Sequence, residues 1–185
     1  MVTYNNTLIL MGGGIDSSYL ASILKRTRKV IGIHFDYGHS ASVYERKAVV
    51  KISKHLNIKI ICESFKYPMS TFKYEIKGRN LLLIMAAIPF AIKYECSQIA
   101  IGIHKGSLYY DTSEHFLLDM QRILDGYFSG NIQLLAPLID LTKIEILELS
   151  KNEIPLNLTY SCETGKNPCG QCPSCKTRNL INAHN

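Results

Sequence analysis

Short β-branched and aliphatic runs alternate along this chain with longer stretches of helical periodicity, and that alternation limits its possible folds more than any other feature. Thr7-Leu8-Ile9-Leu10-Met11 reads as a buried strand running into Gly12-Gly13-Gly14, with a helix predicted over about 17–25. Residues 30–35, 58–62, 98–102 and 133–136 read as four further strands. Helices are predicted over 44–55, with Val49, Ile52 and Leu56 on one face, from Gly78-Arg79-Asn80 onward, and up to about Tyr127. Thr142, with Glu145 three residues on, reads as the cap of a helix over 142–151. Residues 63–77 read as irregular, and 104–113 as a loop. Strands separated by helices predict an α/β fold: a doubly wound, mainly parallel five-stranded sheet with helices on both faces. The one compositional break lies near Pro155, so 1–154 is expected to form the α/β core and 155–185 a tail within a single domain.

Hydrophobic residues make up 46% of the 185 and charged residues 19%, which is globular rather than disordered composition. The longest apolar run, 81–92, is predicted to be a buried core helix, since a membrane span needs roughly 20 such residues. No signal-peptide pattern precedes the first strand, so a soluble, cytoplasmic protein without membrane association is expected. The net charge of +6 invites a nucleic-acid partner, but the cations are scattered apart from Lys25-Arg26-Thr27-Arg28.

In such sheets ligands bind beyond the carboxyl ends of the strands. Three groups of notable residues fall there: Gly12 to Ser18, His34 to His39, and Gly102 to Asp111. Consecutive glycines between strand and helix let several N–H groups converge, and the helix N-terminus adds partial positive charge, which together make an anion cradle. Asp16 and Ser17 are candidate helix caps, and Ser17 or Ser18 a candidate donor to a phosphate oxygen. The Gly-Lys-Ser/Thr of a Walker loop and the spaced glycines of a dinucleotide fold are both absent. A plain Gly-rich turn is the competing reading.

Four of the six cysteines, Cys162, Cys169, Cys172 and Cys175, have the spacing Cys-x6-Cys-x2-Cys-x2-Cys. Thiolates so spaced can converge on one tetrahedral ion with no open position, a structural site. Zinc is the favoured ion, an iron–sulfur cluster the main rival, and disulfides a third possibility. Cys62 and Cys96 read as small buried hydrophobes.

The Gly12–Ser18 loop resembles the Ser-Gly-Gly-x-Asp-Ser pyrophosphate loop of the N-type ATP pyrophosphatases, matching it at Gly13, Gly14, Asp16 and Ser17, with Gly12 in place of the first Ser. Further residues follow in order: Phe35-Asp36-Tyr37-Gly38, Gly78-Arg79-Asn80-Leu81-Leu82, Ile101-Gly102, Ala136-Pro137-Leu138, Thr142-Lys143, Pro155-Leu156 and Tyr160-Ser161-Cys162 through Cys175. Taken together they resemble the 7-cyano-7-deazaguanine synthase family over nearly the whole chain.

That resemblance implies ATP and Mg²⁺ as cofactors beside structural Zn²⁺. It puts the phosphates on Gly12, Gly13, Gly14, Ile15, Asp16, Ser17, Ser18 and Arg79, and the base near His34, Phe35, Asp36 and Gly102. Asp16, Ser17 and Arg79 are its catalytic candidates; Tyr37, Asn80, Tyr110, Asp111 and Phe116 its substrate residues. The implied reaction adenylates the carboxylate of 7-carboxy-7-deazaguanine, converts it with ammonia to the amide, and dehydrates the amide to the nitrile with a second ATP. A homodimer is also implied. The chain departs from the family pattern after the fourth strand, where Ser113 stands at the position of an Arg and a Pro is missing. Two further readings stay open: a paralogue joining the activated acid to an amine on a protein or nucleic acid in a defence system, and a non-catalytic zinc-containing binding module.

Overall fold

In the first strand Leu8 and Leu10 face one side and Ile9 and Met11 the other, and all four are buried. A strand buried on both faces needs a helical layer on each. The computed structural model, which describes residues 6–66, 76–107, 109–165 and 168–182, has that arrangement. Five strands form one sheet in the order β3-β2-β1-β4-β5: β1 (Asn6–Leu10), β2 (Lys29–Asp36), β3 (Lys59–Ser64), β4 (Cys96–Ala100) and β5 (Gln133–Leu135). Every pairing is parallel.

Helices α1 (Ile15–Leu24), α2 (Ser42–Leu56) and α5 (Lys143–Ser150) cover one face, packing Leu20, Val49, Ile52 and Ile146 against Ile9 and Met11. On the other face α3 (Arg79–Lys93) and α4 (Glu114–Phe128) pack Ile84, Ala87, Met120 and Leu124 against Leu8, Leu10 and Ile33. The chain winds outward from β1 to β3, then returns to β4 on the other side of β1. The order therefore reverses between β1 and β4, the crevice where such sheets take ligands.

Three features differ from the sequence reading. The apolar run on α3 is not buried all round: Ile84, Ala87, Ile88 and Ala91 form the buried stripe, while Leu81, Met85 and Ile92 are exposed. Helical periodicity gives the sheet only one side of the helix. A sixth helix, α6 (Pro173–Asn182), closes the tail where no helix is predicted. Cys62 is only half-buried on edge strand β3, whereas Cys96 is buried and its thiol is pushed up to about 11 by that burial. The capping box at Thr142 and Glu145 is present as predicted. Residues 67–75, most of the segment read as irregular, lie outside the described residues. No helix among the described residues is long and apolar enough to cross a membrane.

Candidate functional site

The turn after β1 is built from two constraints on Gly13. Its φ is +75°, and a Cβ there would lie 2.7 Å from the Glu45 carbonyl oxygen on α2. Left-handed backbone and close approach together leave room for no side chain. Helix α1 then starts at Ile15 with Gly14 as N-cap and no side-chain cap. Neither Asp16 nor Ser17 caps it, contrary to the sequence reading. Ser17 Oγ accepts the Gly12 N–H at 3.2 Å, and Ser18 Oγ donates to the Gly14 carbonyl at 2.6 Å, so both hydroxyls brace the loop from within. Among the described residues no acceptor takes the N–H of Gly14, Ile15 or Asp16. These donors, at the positive end of α1, are left for an anion. Gly102 closes the far side: a Cβ there would sit 3.0 Å from Ser17 N, so its missing side chain lets the end of β4 abut the loop.

The carboxylate of Asp16 is half satisfied. Its Oδ2 pairs with Lys143 Nζ on α5, and its Oδ1 is buried with no hydrogen-bond partner among the described residues. A buried ionised oxygen needs a cation or donor, and this hard oxygen donor beside an anion loop fits Mg²⁺. The sequence reading assigned Lys143 no role. Its signal was there, since a Lys at the first position of a helix sits at the end where the dipole disfavours a cation.

Near the carboxyl end of β2, His34 is buried, its Nδ1–H donates to the Met11 carbonyl at 2.9 Å, and its Nε2 is buried without a partner among the described residues. Burial holds its pKa below 6.5, so the ring stays neutral and Nε2 is a bare acceptor. Phe35 points the other way, packing on Phe65 and Phe90 in the α3–α4 layer. Asp36 Oδ1 accepts the Gly38 N–H at 2.9 Å and closes the turn. Tyr37 stacks on His39 at 4.1 Å and lies beside Arg79; burial raises its pKa and the guanidinium opposes the rise. His39 Nε2 in turn lies 2.8 Å from Glu45 Oε2, a dyad the sequence reading passed over.

The segment before α4 is satisfied internally. Asp111 accepts the Asn80 main-chain N–H at 3.1 Å through Oδ2 and the Asn80 side-chain amide at 2.8 Å through its carbonyl. Ser113 Oγ accepts the Phe116 N–H and caps α4. Phe116 is buried and meets the exposed Tyr110 ring edge-on at 5.8 Å. The structure therefore brings Gly12 to Ser18, Gly102 and Lys143 together, and Tyr37 with Arg79. It ties Asn80 to Asp111, and it keeps Phe35 and Phe116 in the core.

In the tail the four Sγ atoms of Cys162, Cys169, Cys172 and Cys175 all lie within 4.8 Å of one another, and the Cys169–Cys175 pair is 4.0 Å apart. A tetrahedral thiolate site with metal–sulfur bonds of about 2.3 Å separates its sulfurs by ~3.8 Å, so the set fits one ion. Main-chain N–H groups of Cys169, Cys172 and Cys175 donate to sulfurs of Cys162, Cys169 and Cys172 at 3.3–3.4 Å. Burial opposes ionisation of Cys162, but donors from Thr164 and Cys169 overcome it and draw the thiol down to about 6. None of the cysteines forms a disulfide.

The family model described as queuosine biosynthesis protein QueC matches residues 6–74 and 68–183. The 7-cyano-7-deazaguanine synthase of Prochlorococcus marinus is 31% identical over 210 aligned positions, which cover 93% of this chain and 91% of that protein. The synthase of the same name from Sulfolobus acidocaldarius is 31% identical over 94% of this chain but only 44% of its own length. Among solved structures, an NMN synthetase from Francisella tularensis superimposes with a TM-score of 0.56 at 17% identity, covering 98% of this chain and 78% of its own. A predicted tRNA methyltransferase subunit from Methanocaldococcus jannaschii gives 0.51, also at 17%, over 79% and 74%. Those two likenesses are of fold alone. The sequence match runs from the first strand of the sheet to the last helix of the tail, and the chain belongs to the QueC family of queuosine biosynthesis proteins.

Proposed function

We propose that this chain is an ATP-dependent carbon–nitrogen ligase that converts 7-carboxy-7-deazaguanine to 7-cyano-7-deazaguanine. The observation that carries the reading is the uncapped start of α1: three orphan N–H groups beside a carboxylate with one unpaired oxygen. Pyrophosphate leaving from ATP carries charge onto such donors, and Mg²⁺ held at Asp16 would neutralise more of it. Gly12 to Ser18 cradle the phosphates, with Arg79, now beside Tyr37, and Lys143, now paired with Asp16, as the cations at their edge. His34 Nε2 and Asp36 border the base, and Gly102 keeps the crevice narrow. The substrate lies toward Tyr37, Asn80 and Asp111, with Tyr110 exposed to it and Phe116 supporting Tyr110 from the core.

In the first step a substrate carboxylate oxygen attacks the α-phosphorus and pyrophosphate leaves, giving an acyl-adenylate. Ammonia attacks the acyl carbon, AMP leaves, and the nitrogen loses a proton, giving the amide. The amide oxygen then attacks the α-phosphorus of a second ATP and pyrophosphate leaves, after which loss of AMP and of two protons yields the nitrile. No protein nucleophile takes part; the residues position and neutralise. Zinc is the ion assigned to the four cysteines, making residues 155–185 a structural tail on the 1–154 core. We place the protein in the cytoplasm, where thiols stay reduced, and as a homodimer joined through the exposed apolar side of α3 and α4 (Met85, Ile92, Ile123, Tyr127).

A second reading has one observation behind it. The position of the family's Arg is held by Ser113, which is committed to capping α4, so no guanidinium from that segment meets the substrate carboxylate. A paralogue that transfers the activated acid to a different amine, on a protein or nucleic acid, would tolerate that change.

The deciding experiment incubates metal-replete protein with MgATP, 7-carboxy-7-deazaguanine and ammonium, then reads masses. AMP with the nitrile is expected. AMP with only the adenylate or amide moves the assignment to the paralogue, and no AMP sinks both in favour of a binding module.

A further inference from the structure

The cysteine tail meets the phosphate loop through a main-chain hydrogen bond: the Tyr160 N–H donates to the Gly13 carbonyl at 2.9 Å. A trans peptide unit is planar, with its C=O and N–H directed oppositely. Holding the Gly13 carbonyl toward Tyr160 therefore turns the Gly14 N–H the other way, and that N–H is one of the three orphan donors of the anion site. Released from Tyr160, the unit between two glycines would be free to rotate, because glycine occupies both hands of φ at little cost.

Tyr160 is itself held on several sides. Its ring stacks on Tyr44 of α2 with centroids 5.3 Å apart. Two residues on, Cys162 enters the sulfur cluster. Just before it, Arg178 of α6 donates to the Thr159 hydroxyl at 3.0 Å and to the Leu156 carbonyl. The cluster is also pinned to the turn after β2: Ser40 Oγ donates to the Glu163 carbonyl at 3.2 Å, and Gly165 abuts Ser40 so closely that a methyl group would overlap its carbonyl. The Glu163 carboxylate accepts from Ser174 Oγ at 2.7 Å and joins the knuckle to α6.

We propose that the main-chain N–H of Tyr160 is a positioning donor for the phosphate loop, so that the metal-bound cysteine knuckle, far from being a remote staple, sets the loop's affinity for pyrophosphate groups. The inference rests on the reading of this loop as a pyrophosphate site.

The test titrates inorganic pyrophosphate with Mg²⁺ into intact protein by calorimetry. Tyr160→Pro deletes the N–H and should weaken binding about tenfold, because the Gly14 N–H it orients would lose its charge-assisted bond to the anion. Tyr160→Phe keeps the N–H and the ring stack on Tyr44, so its affinity should fall less than that of Tyr160→Pro. If Tyr160→Pro does not fold, the parent stripped of metal by a chelator decides, with circular dichroism confirming an intact core. Pyrophosphate affinity should then fall, and exchange of the Gly14 amide should quicken. Undiminished affinity in folded Tyr160→Pro, or in stripped protein, overturns the inference. A parent that binds no pyrophosphate overturns the loop assignment itself, a separate outcome.

Discussion

The turn after β1 and the segment that leads into α4 both stand on the carboxyl edge of the sheet, yet they treat their polar groups in opposite ways. In the first, the N–H groups of Gly14, Ile15 and Asp16 and one oxygen of Asp16 have no partner among the described residues. In the second, Asn80, Asp111 and Ser113 consume one another's hydrogen-bonding capacity. A buried or half-buried polar group left unpaired costs roughly 1–3 kcal/mol. On the proposed reading the first turn carries that cost because a phosphate can relieve it, whereas the second holds the shape of the substrate side.

The comparison breaks most readily at Gly13. Gly13→Ala puts a Cβ against the Glu45 carbonyl and a side chain at φ +75°, so the loop must open. Pyrophosphate affinity should fall by about 100-fold, in line with roughly 3 kcal/mol of strain and clash. Unchanged affinity by titration would show that the anion does not use this turn.

On the scaffold side the largest effect should be on stability instead. Asp111→Ala strips the acceptor from the Asn80 N–H at the start of α3 and should cost about 1–2 kcal/mol in urea unfolding. Turnover at saturating substrate should hold, with the effect on the reaction confined to a higher KM for the substrate that Asp111 borders in the proposed site. A drop in turnover with unaltered stability would move Asp111 from scaffold to chemistry.

A smaller effect comes from His34, whose pKa burial lowers against opposing contributions from the Met11 carbonyl, Glu45 and Asp36, while His39 reinforces the lowering. A depressed histidine means that the unfolded chain binds the proton first. Its contribution is thus complete above about pH 6.5 and is lost as pH falls through the folded value. Thermal melts of the parent from pH 8 to 5 should show this loss, and His34→Gln should flatten it. Parallel curves for the two proteins would remove His34 as the cause.

The mildest change sharpens the comparison from the other direction. Nothing lies within 4 Å of a Cβ at Gly12, and its φ is not left-handed. Gly12→Ser should fit without strain and add one hydroxyl donor to the unsatisfied turn, tightening MgATP about threefold. Weaker binding would mean that Gly12 is needed for the loop to move.

The alternation of β-branched runs with helical periodicity was sufficient to set the five strands, the parallel sheet and the capping box at Thr142, because these follow from side-chain spacing within a few residues. Three glycines before a helix, and four cysteines at knuckle spacing, are likewise local statements, and both are where the sequence puts them. Residue pairings were not legible. Asp16 meets Lys143 across 127 positions, Asn80 meets Asp111, and Tyr160 meets Gly13, because the order in which strands lie side by side decides which loops share an edge. Sequence periodicity likewise marked α3 as apolar but could not say which stripe the sheet would take. Local chemistry thus determined the elements and the kind of site. The tertiary arrangement decided which polar groups were satisfied by neighbours and which were left unpaired, since satisfaction depends on partners distant in the chain.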